Sequence, residues 1–317
     1  MSVLRSNLSN LMKVDLDGVF FEAWKNQPYQ LILNTIFDVI TSDKKEEKFQ
    51  TVAGFGIAPV KAEGADLAEK TFREAYQTTL THKTLGYYFG VSMEAKQDEQ
   101  YGVIPRAPKA CAKSMDYTIN YYMSKIFGYA TSSTAGANGL DFSSSVDGSA
   151  LLATSHALAE SGGTCGNKPS TDADLSATTI WAGVDKFYEF LDDAGKPIVV
   201  SPRYLLVPHQ TQKVARELLE SELFPESAEN AVNALRSATN LSLVIWPYFL
   251  GNIDSDAWFL IADKGASEDH PLKFIWRMKP ETDSDNDFYN KDFLYSIVSR
   301  FSLGWYDWRF VYGSMGA

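Results

Sequence analysis

The periodicity of apolar positions changes most clearly between residues 176 and 219. Ser176 is a favoured helix N-cap residue, and the apolar residues after it recur at spacings of four, three and four. These residues are Ile180, Val184, Phe187 and Leu191. Such spacing places them on one face, so the sequence predicts an amphipathic helix that begins just after Ser176.

A short strand is expected to follow this helix. The apolar block Tyr204–Val207 lies between two prolines and comes after a turn at Asp193–Gly195. Pro208 suits the first position of a helix, so we expect a second helix to begin there. Apolar blocks at 241–246 and 257–261 predict two further strands. The region is therefore expected to be a mixed layer of helices and strands.

The longest predicted helix covers residues 105–127. Two prolines mark its start, and Gly128 is a natural stop. Its apolar positions recur at spacings of four, four, three and four, at Cys111, Met115, Ile119, Tyr122 and Ile126. At 1.5 Å per residue the helix would extend roughly 30 Å. We predict that Met115, Ile119, Tyr122 and Ile126 pack against a sheet.

The C-terminal third is expected to be β-structure. Residues 272–279 alternate in character, and two further strands are expected at 293–301 and 305–312, joined across 302–304. In the last strand four aromatic residues share one face, and Asp307 and Arg309 point to the other. The four are Tyr306, Trp308, Phe310 and Tyr312. This alternation indicates the inner face of a strand.

The first 85 residues have weaker apolar patterning. Residues 1–45 indicate an arm with one or two short helices. Segments near 48–53 and 71–81 favour strands and flank a middle with glycines and a proline. The second segment has polar or charged residues on both faces, and an isolated two-stranded ribbon is only marginally stable in water. Such a ribbon is expected to need a partner.

Composition excludes several classes of protein. The chain has 317 residues, 45% of them hydrophobic, so it is not generally disordered. A net charge of −11 argues against an extended phosphate-binding surface, since such affinity comes mainly from Lys and Arg. Cys111 and Cys165 lie far apart, which indicates neither a disulfide framework nor a metal knuckle and favours a reduced, cytosolic setting. No stretch approaches the ~20 apolar residues of a membrane span, and we expect no signal peptide.

Candidate catalytic chemistry is limited to Ser155-His156. This pair suggests a hydrolase, but its flanking residues do not form the G-x-S-x-G turn that exposes a serine nucleophile. The histidines are His82, His156, His209 and His270, and none forms an i,i+4 pair of the kind that binds zinc. We therefore predict no catalytic residue, no metal site and no cofactor.

Two other motifs have structural interpretations. Asp283-Ser-Asp285-Asn-Asp287 begins like a calcium loop, but Phe288 stands where glycine is required and Leu294 where a glutamate is required. We interpret it as an acidic loop between two strands. Gly54-Phe-Gly56 lacks the third glycine of a dinucleotide-binding turn, so it is expected to be an ordinary turn.

The order of these blocks resembles that of tailed-bacteriophage major capsid proteins, with the Mu-like prophage head subunit as the nearest subgroup. The blocks are Asp147-Gly148, Leu151–His156, Leu175-Ser176, the Gly195-Lys-Pro turn, Leu205–Pro208, Pro247, Ala257-Trp258 and Asp307-Trp-Arg309. The resemblance extends over about residues 49–312. It implies an α+β fold with an N-terminal arm (1–45), an extended β-loop (46–86) and a peripheral domain (87–169) that contains a spine helix (105–127). An axial domain (170–265) and C-terminal strands that return to the peripheral domain (266–317) complete it.

The resemblance also implies a structural function. Copies of such a chain assemble as pentamers and hexamers into an icosahedral head that encloses double-stranded DNA without specific binding, in the cytoplasm of the host. The implied partners are other copies, a separate scaffold protein, a portal and decoration proteins, and no membrane. We expect the intersubunit contact on the extended loop, at Lys61, Glu63, Lys70, Phe72, Arg73, Tyr76 and Leu80. Two alternatives stay open, an encapsulin-type compartment shell and a hydrolase that uses Ser155 and His156.

Overall fold

The computed structural model describes residues 5–25, 29–53, 58–64, 66–67, 69, 73–92, 94–95, 98, 106–133, 147–223, 232–246, 255–264, 270–287, 289–290 and 292–317. Its helices are α1 (Arg5–Lys25), α2 (Tyr29–Ile36), α3 (Arg106–Gly128), α4 (Ala177–Tyr188), α5 (Gln212–Glu220) and α6 (Ala234–Ala238). Its strands are β1 (Asp38–Thr41), β2 (Glu46–Ala53), β3 (Arg73–Thr81), β4 (Lys83–Val91), β5 (His156–Ala157), β6 (Thr164–Cys165), β7 (Pro202–Pro208), β8 (Ser242–Trp246), β9 (Trp258–Ala262), β10 (Leu272–Asn286), β11 (Phe293–Trp305) and β12 (Val311–Ser314).

A first four-stranded sheet has the order β1-β10-β11-β4. Its centre is the long antiparallel hairpin of β10 and β11, in which Leu272 lies opposite Trp305 and Asn286 opposite Phe293. Helices α1 and α3 pack against each other on this side of the molecule. Asp17 of α1 links helix to sheet, because its carboxylate accepts a hydrogen bond of 2.8 Å from the Tyr295 hydroxyl.

A second four-stranded sheet has the order β12-β9-β7-β8. Strand β9 is buried along its whole length, as expected for the interior of a layer with a continuous apolar run. Helix α4 packs on this sheet and begins as predicted, since Ser176 accepts a hydrogen bond from the Thr179 amide in a capping box. The predicted strands at 204–207, 241–246 and 257–261 correspond to β7, β8 and β9.

The helix predicted to begin at Pro208 begins four residues later. Pro208 is the last residue of β7 and lies opposite Trp246 of β8. A turn through residues 209–211 then separates the strand from α5. The fixed φ of proline suits the first turn of a helix, but it is also compatible with the end of a strand.

The C-terminal strands differ from their predicted boundaries. β11 runs without a break through 302–304, where a connection was expected, and ends at Trp305. Residues 306–310 form a turn, and the chain then enters the second sheet, where β12 pairs with β9. The C-terminus therefore ends in the second sheet and does not return to the first. Asp283 and Asp285 lie within β10, so the acidic stretch is mostly strand and not a loop.

The described part of the predicted N-terminal arm is an integral part of the body. Phe20, Ile36 and Phe37 are fully buried, and β1 pairs in parallel with β10. Residues 83–86 of the predicted β-loop also belong to the body, because they begin β4 and pair with β11. Among the described residues, no helix is long and apolar enough to cross a membrane.

Candidate functional site

The turn that carries the chain from the first sheet to the second is surrounded by buried polar groups. The His156 ring is fully buried and stacks on Trp308 of this turn, with centroids 4.3 Å apart. Its Nδ1 lies 2.8 Å from Asp147 Oδ2, and its Nε2 lies 3.1 Å from Asn167 Oδ1. Both nitrogens of His156 therefore have partners inside the protein.

Asn167 extends this network to the backbone. Its amide nitrogen donates to the carbonyl oxygens of Leu151, at 2.8 Å, and Trp308, at 3.4 Å. Its side-chain oxygen also accepts a hydrogen bond of 3.0 Å from the Ala153 amide. One buried asparagine thus ties the 151–153 segment to the turn that joins the sheets, and few substitutes could satisfy these groups.

Asp147 is held as an anion by the same network. Burial alone would raise its pKa, but the hydrogen bonds from His156 and from the Ser149 amide reverse that effect, and the net result is a lowered pKa. An anionic Asp147 at hydrogen-bond distance fixes the orientation of the His156 ring.

This geometry argues against the hydrolase alternative. A serine nucleophile needs a histidine nitrogen free to take its proton. Ser155 is exposed, whereas the His156 ring is buried and bound at both nitrogens. The pair is adjacent in sequence only, and His156 has a structural role.

Arg309 is the second buried anchor of the turn. Its Nε donates to the Leu191 carbonyl oxygen at 2.7 Å, and one terminal nitrogen donates to Asp193 Oδ1 at 2.9 Å. The other terminal nitrogen contacts both Asp307 carboxylate oxygens, at 3.1 and 3.2 Å. The guanidinium also lies over the Trp308 ring, 4.8 Å from its centroid. Two carboxylates and a carbonyl thus compensate for the burial of this charge.

Two residues of the acidic stretch that begins like a calcium loop in the sequence lie in strand β10. Asp283 and Asp285 are alternate residues of β10 and share one face of the strand. Within the described ranges, no group of three or more His, Cys, Asp or Glu side chains could hold a metal ion.

The β2–β3 ribbon is attached to the body mainly at its base. Leu80 and Thr78 are buried, and Phe49 stacks on Tyr306 with centroids 5.3 Å apart. The Tyr76 hydroxyl donates to the Ala157 carbonyl oxygen at 3.3 Å. Leu80 is one of the residues expected in the intersubunit contact, and in this subunit its side chain is already covered by its own chain.

The outer part of the ribbon is open to solvent wherever it is described. Val60 is 99% exposed and Leu67 is 80% exposed. Lys61 and Glu63 are also exposed. Lys70, Phe72 and the Arg73 side chain lie outside the described residues. Apolar side chains this exposed bury almost no surface within the isolated subunit, so they contribute little to its stability.

Helix α3 presents a mixed face to the core. Met115, Ile119 and Ile126 are buried, and Tyr122 is half-buried against the same core. Asp116 and Asn120 are buried on this helix as well, and Asn120 accepts a hydrogen bond of 3.2 Å from the Trp246 indole of the second sheet. The helix therefore contacts both sheets.

Several of these anchors were not predicted. Asn167 lies in a segment without apolar periodicity, and Asp193 belongs to a predicted turn whose sequence does not indicate a buried charge. Arg309 was placed on an outward strand face, but the Asp307-Trp-Arg309 sequence forms a turn instead. The burial of a charged residue such as Arg309 can be predicted only when its partner is known. Its partner Asp193 lies 116 residues away in the sequence.

The comparisons with known proteins identify the family. The phage capsid protein family matches residues 75–314, and the chain belongs to this family. No curated protein matches the chain. The protein is thus a structural component of a phage capsid.

Solved structures agree with this at the level of the fold. The chain is similar to the capsid of the cyanophage P-SCSP1u, with a TM-score of 0.57, 10% identity, and coverage of 90% of this chain and 88% of that one. It is similar to the capsid of a native GTA particle, with a TM-score of 0.58, 11% identity and 90% coverage of both chains. A virus-like particle from Pyrococcus furiosus matches with a TM-score of 0.50, 10% identity, and coverage of 94% of this chain and 96% of that one.

Proposed function

We propose that this protein is the major subunit of an icosahedral phage head that encloses double-stranded DNA, and that it assembles as hexamers and pentamers. The observation that carries the proposal is the family match over residues 75–314. The motif order favours a head subunit of the Mu-like subgroup. We expect assembly in the host cytoplasm, with a separate scaffold protein, a portal and decoration proteins as further partners.

The β2–β3 ribbon and the residues between its strands are the proposed intersubunit contact. The ribbon base is fixed to its own body, while Val60 and Leu67 beyond it are almost fully exposed. A neighbouring surface that covered these two apolar side chains would remove them from water, which is favourable. Lys61 and Glu63 supply opposite charges beside them, which can set register with a neighbour. Each contact need contribute little, because a closed shell repeats it many times.

Replacement of residues 54–70 by a short Gly-Ser turn tests this contact. We expect a folded subunit with near-normal circular dichroism that no longer forms closed shells in electron micrographs. Lys61→Glu is the finer perturbation, and Lys213→Glu on the exposed face of α5 is its matched control. Full-sized shells from the deletion variant would contradict the proposed contact, and an unfolded subunit would show that the segment belongs to the core.

A closed compartment without DNA is the second candidate, favoured by the similarity to a virus-like particle. The two candidates differ in what the shell contains. Particles purified from cells that express the complete assembly genes would contain nuclease-protected DNA in the first case and a protein cargo in the second.

A further inference from the structure

His82 occupies the joint between the ribbon and the first sheet. It is the single residue between β3, which belongs to the ribbon, and β4, which belongs to the sheet. Its side chain is only 4% exposed. Nδ1 lies 3.0 Å from the hydroxyl of Ser302, a fully buried residue of β11. Nε2 is also buried, and it has no hydrogen-bond partner in the described structure.

The charges that face His82 are mostly positive. Arg300 of β11 and Arg277 of β10 both act against a positive charge on the ring, and Glu47 of β2 is the one nearby anion that acts in its favour. Glu47 is already engaged, because its carboxylate accepts hydrogen bonds from Ser42 Oγ, at 2.6 Å, and from the Lys44 ammonium, at 3.0 Å.

Arg277 and Arg300 differ in how they are compensated. Arg277 is paired with Asp43 at 2.7 Å. The Nε of Arg300 is buried without an acceptor in the described structure. A protonated His82 would carry an N–H group on both ring nitrogens, while the Ser302 hydroxyl is the one acceptor that the described structure places beside the ring.

We propose that His82 is a pH-sensitive joint, and that its protonation loosens the base of the β2–β3 ribbon from the first sheet. A neutral ring fits the site with one hydrogen bond to Ser302. A cation would be desolvated beside two arginines, with no carboxylate of its own. Opening the joint admits water to the ring, so the open joint binds the proton more readily than the closed joint does. In an assembled shell, this would make a ribbon contact weaken in acid, which is regulation of the contact proposed above.

The pH range follows from the sign of the shift. Burial, followed by the charge of Arg300, lowers the pKa of His82 below its usual value of 6.5. The closed joint therefore has its full stability above about pH 6.5, and this stability falls as the pH drops below that value. The Glu47 charge opposes this shift but is outweighed by burial and by Arg300. Glu47 adds no titration of its own in this range, because the Ser42 hydrogen bond lowers its pKa. One proton can change the opening equilibrium by at most about tenfold per pH unit.

Hydrogen exchange of the full-length, unassembled subunit tests the proposal. After correction for intrinsic exchange, we expect protection of β2 and β3 amides to fall by about tenfold between pH 7.5 and 5.5, while protection in β7 and β9 stays unchanged. His82→Gln cannot be protonated and should remove the pH dependence of the ribbon amides. The control is His209→Gln, at an exposed position, which should retain it. An equal loss of protection in His82→Gln would overturn the proposal.

A direct titration covers the case in which His82→Gln does not fold. The wild-type chain has four histidines, so ring-labelled protein gives few NMR signals. We expect the His82 ring to titrate below pH 6.5 and to become protonated only as the ribbon opens. Titration of His82 at or above pH 6.5 would refute the mechanism. If acid detached the ribbon from the first sheet while His82 stayed neutral, His82 would not be the pH-sensitive group. The proposed shell function would not be affected by that result.

Discussion

Substitution of Arg309 is expected to destabilise the turn that joins the two sheets, and so to lower the free energy of unfolding. Arg309→Met removes the only cation that contacts Asp193 in the described structure, and Asp193 is 4% exposed. Breaking a buried pair by removing one partner typically costs about 3–5 kcal/mol, because the remaining charge is desolvated without compensation. The Leu191 carbonyl oxygen also loses its side-chain donor. We therefore expect Arg309→Met to lower the free energy of unfolding by roughly 3–5 kcal/mol.

The double variant distinguishes a desolvated charge from lost packing. Arg309→Met with Asp193→Asn removes both charges, so it should be less destabilised than Arg309→Met alone. Asp193→Asn alone should cost less, because Asp307 still pairs with Arg309 at 3.1 Å. Urea denaturation of the unassembled subunit at pH 7 measures all three.

Arg216→Met is the matched control for this experiment. Arg216 pairs with Glu220 at 3.2 Å on an exposed face of α5, and such surface pairs contribute only about 0–1 kcal/mol. If Arg309→Met were as mild as Arg216→Met, or if the double variant were no more stable than Arg309→Met, the buried-charge account of the turn would be refuted.

Three further outcomes follow from the described packing. Ile119→Asp on the buried face of α3 should abolish soluble folded subunit, because an unpaired carboxylate would be desolvated there, while exposed Lys113→Asp should be tolerated; expression and circular dichroism compare them. Gly183→Ala places a Cβ 2.6 Å from Leu260 Cδ1, so it should lower the melting temperature. Gly18→Ala in α1 adds a Cβ with no neighbour within 4 Å, so it should raise the melting temperature, because alanine stabilises a helix by up to about 1 kcal/mol relative to glycine. Duplex DNA should bind the subunit only weakly at every salt concentration, since the net charge is −11; submicromolar affinity that falls steeply with salt in an anisotropy titration would contradict this.

Local elements of the fold could be read from the sequence where one pattern determines the structure. The Ser176 cap and the residues after it define α4 without reference to the rest of the chain, and the Met115 to Ile126 spacing does the same for α3. The long-range pairing of strands could not be read in this way. β1 pairs with β10, whose residues lie 235 positions later, and no local pattern specifies a partner at that distance.

The connections between elements were the least predictable part. Ser302-Leu-Gly304 contains small residues typical of a turn, yet β11 continues through it because β10 pairs with it at every position from Leu272 to Ile275. The turn occurs instead at 306–310, where aromatic residues predicted a strand. There the stacking of Trp308 on His156 and the pairing of Arg309 with Asp193 override local preference.

The described contacts divide the subunit into a well-packed body, which contains the two sheets, and the β2–β3 ribbon, which is held less tightly. The two sheets share a continuous apolar core and are joined by a turn whose polar groups have buried partners on both sides. The described contacts of the ribbon with this body lie at its base and include Tyr76 to Ala157 and the His82 joint, where His82 Nε2 and Arg300 Nε are buried without a partner in the described structure. Local opening requires the least free energy where apolar contacts are few and polar groups are unsatisfied. A change in the position of the ribbon would therefore leave the body intact, and in the proposed shell this would allow copies of the same body to meet their neighbours at different angles.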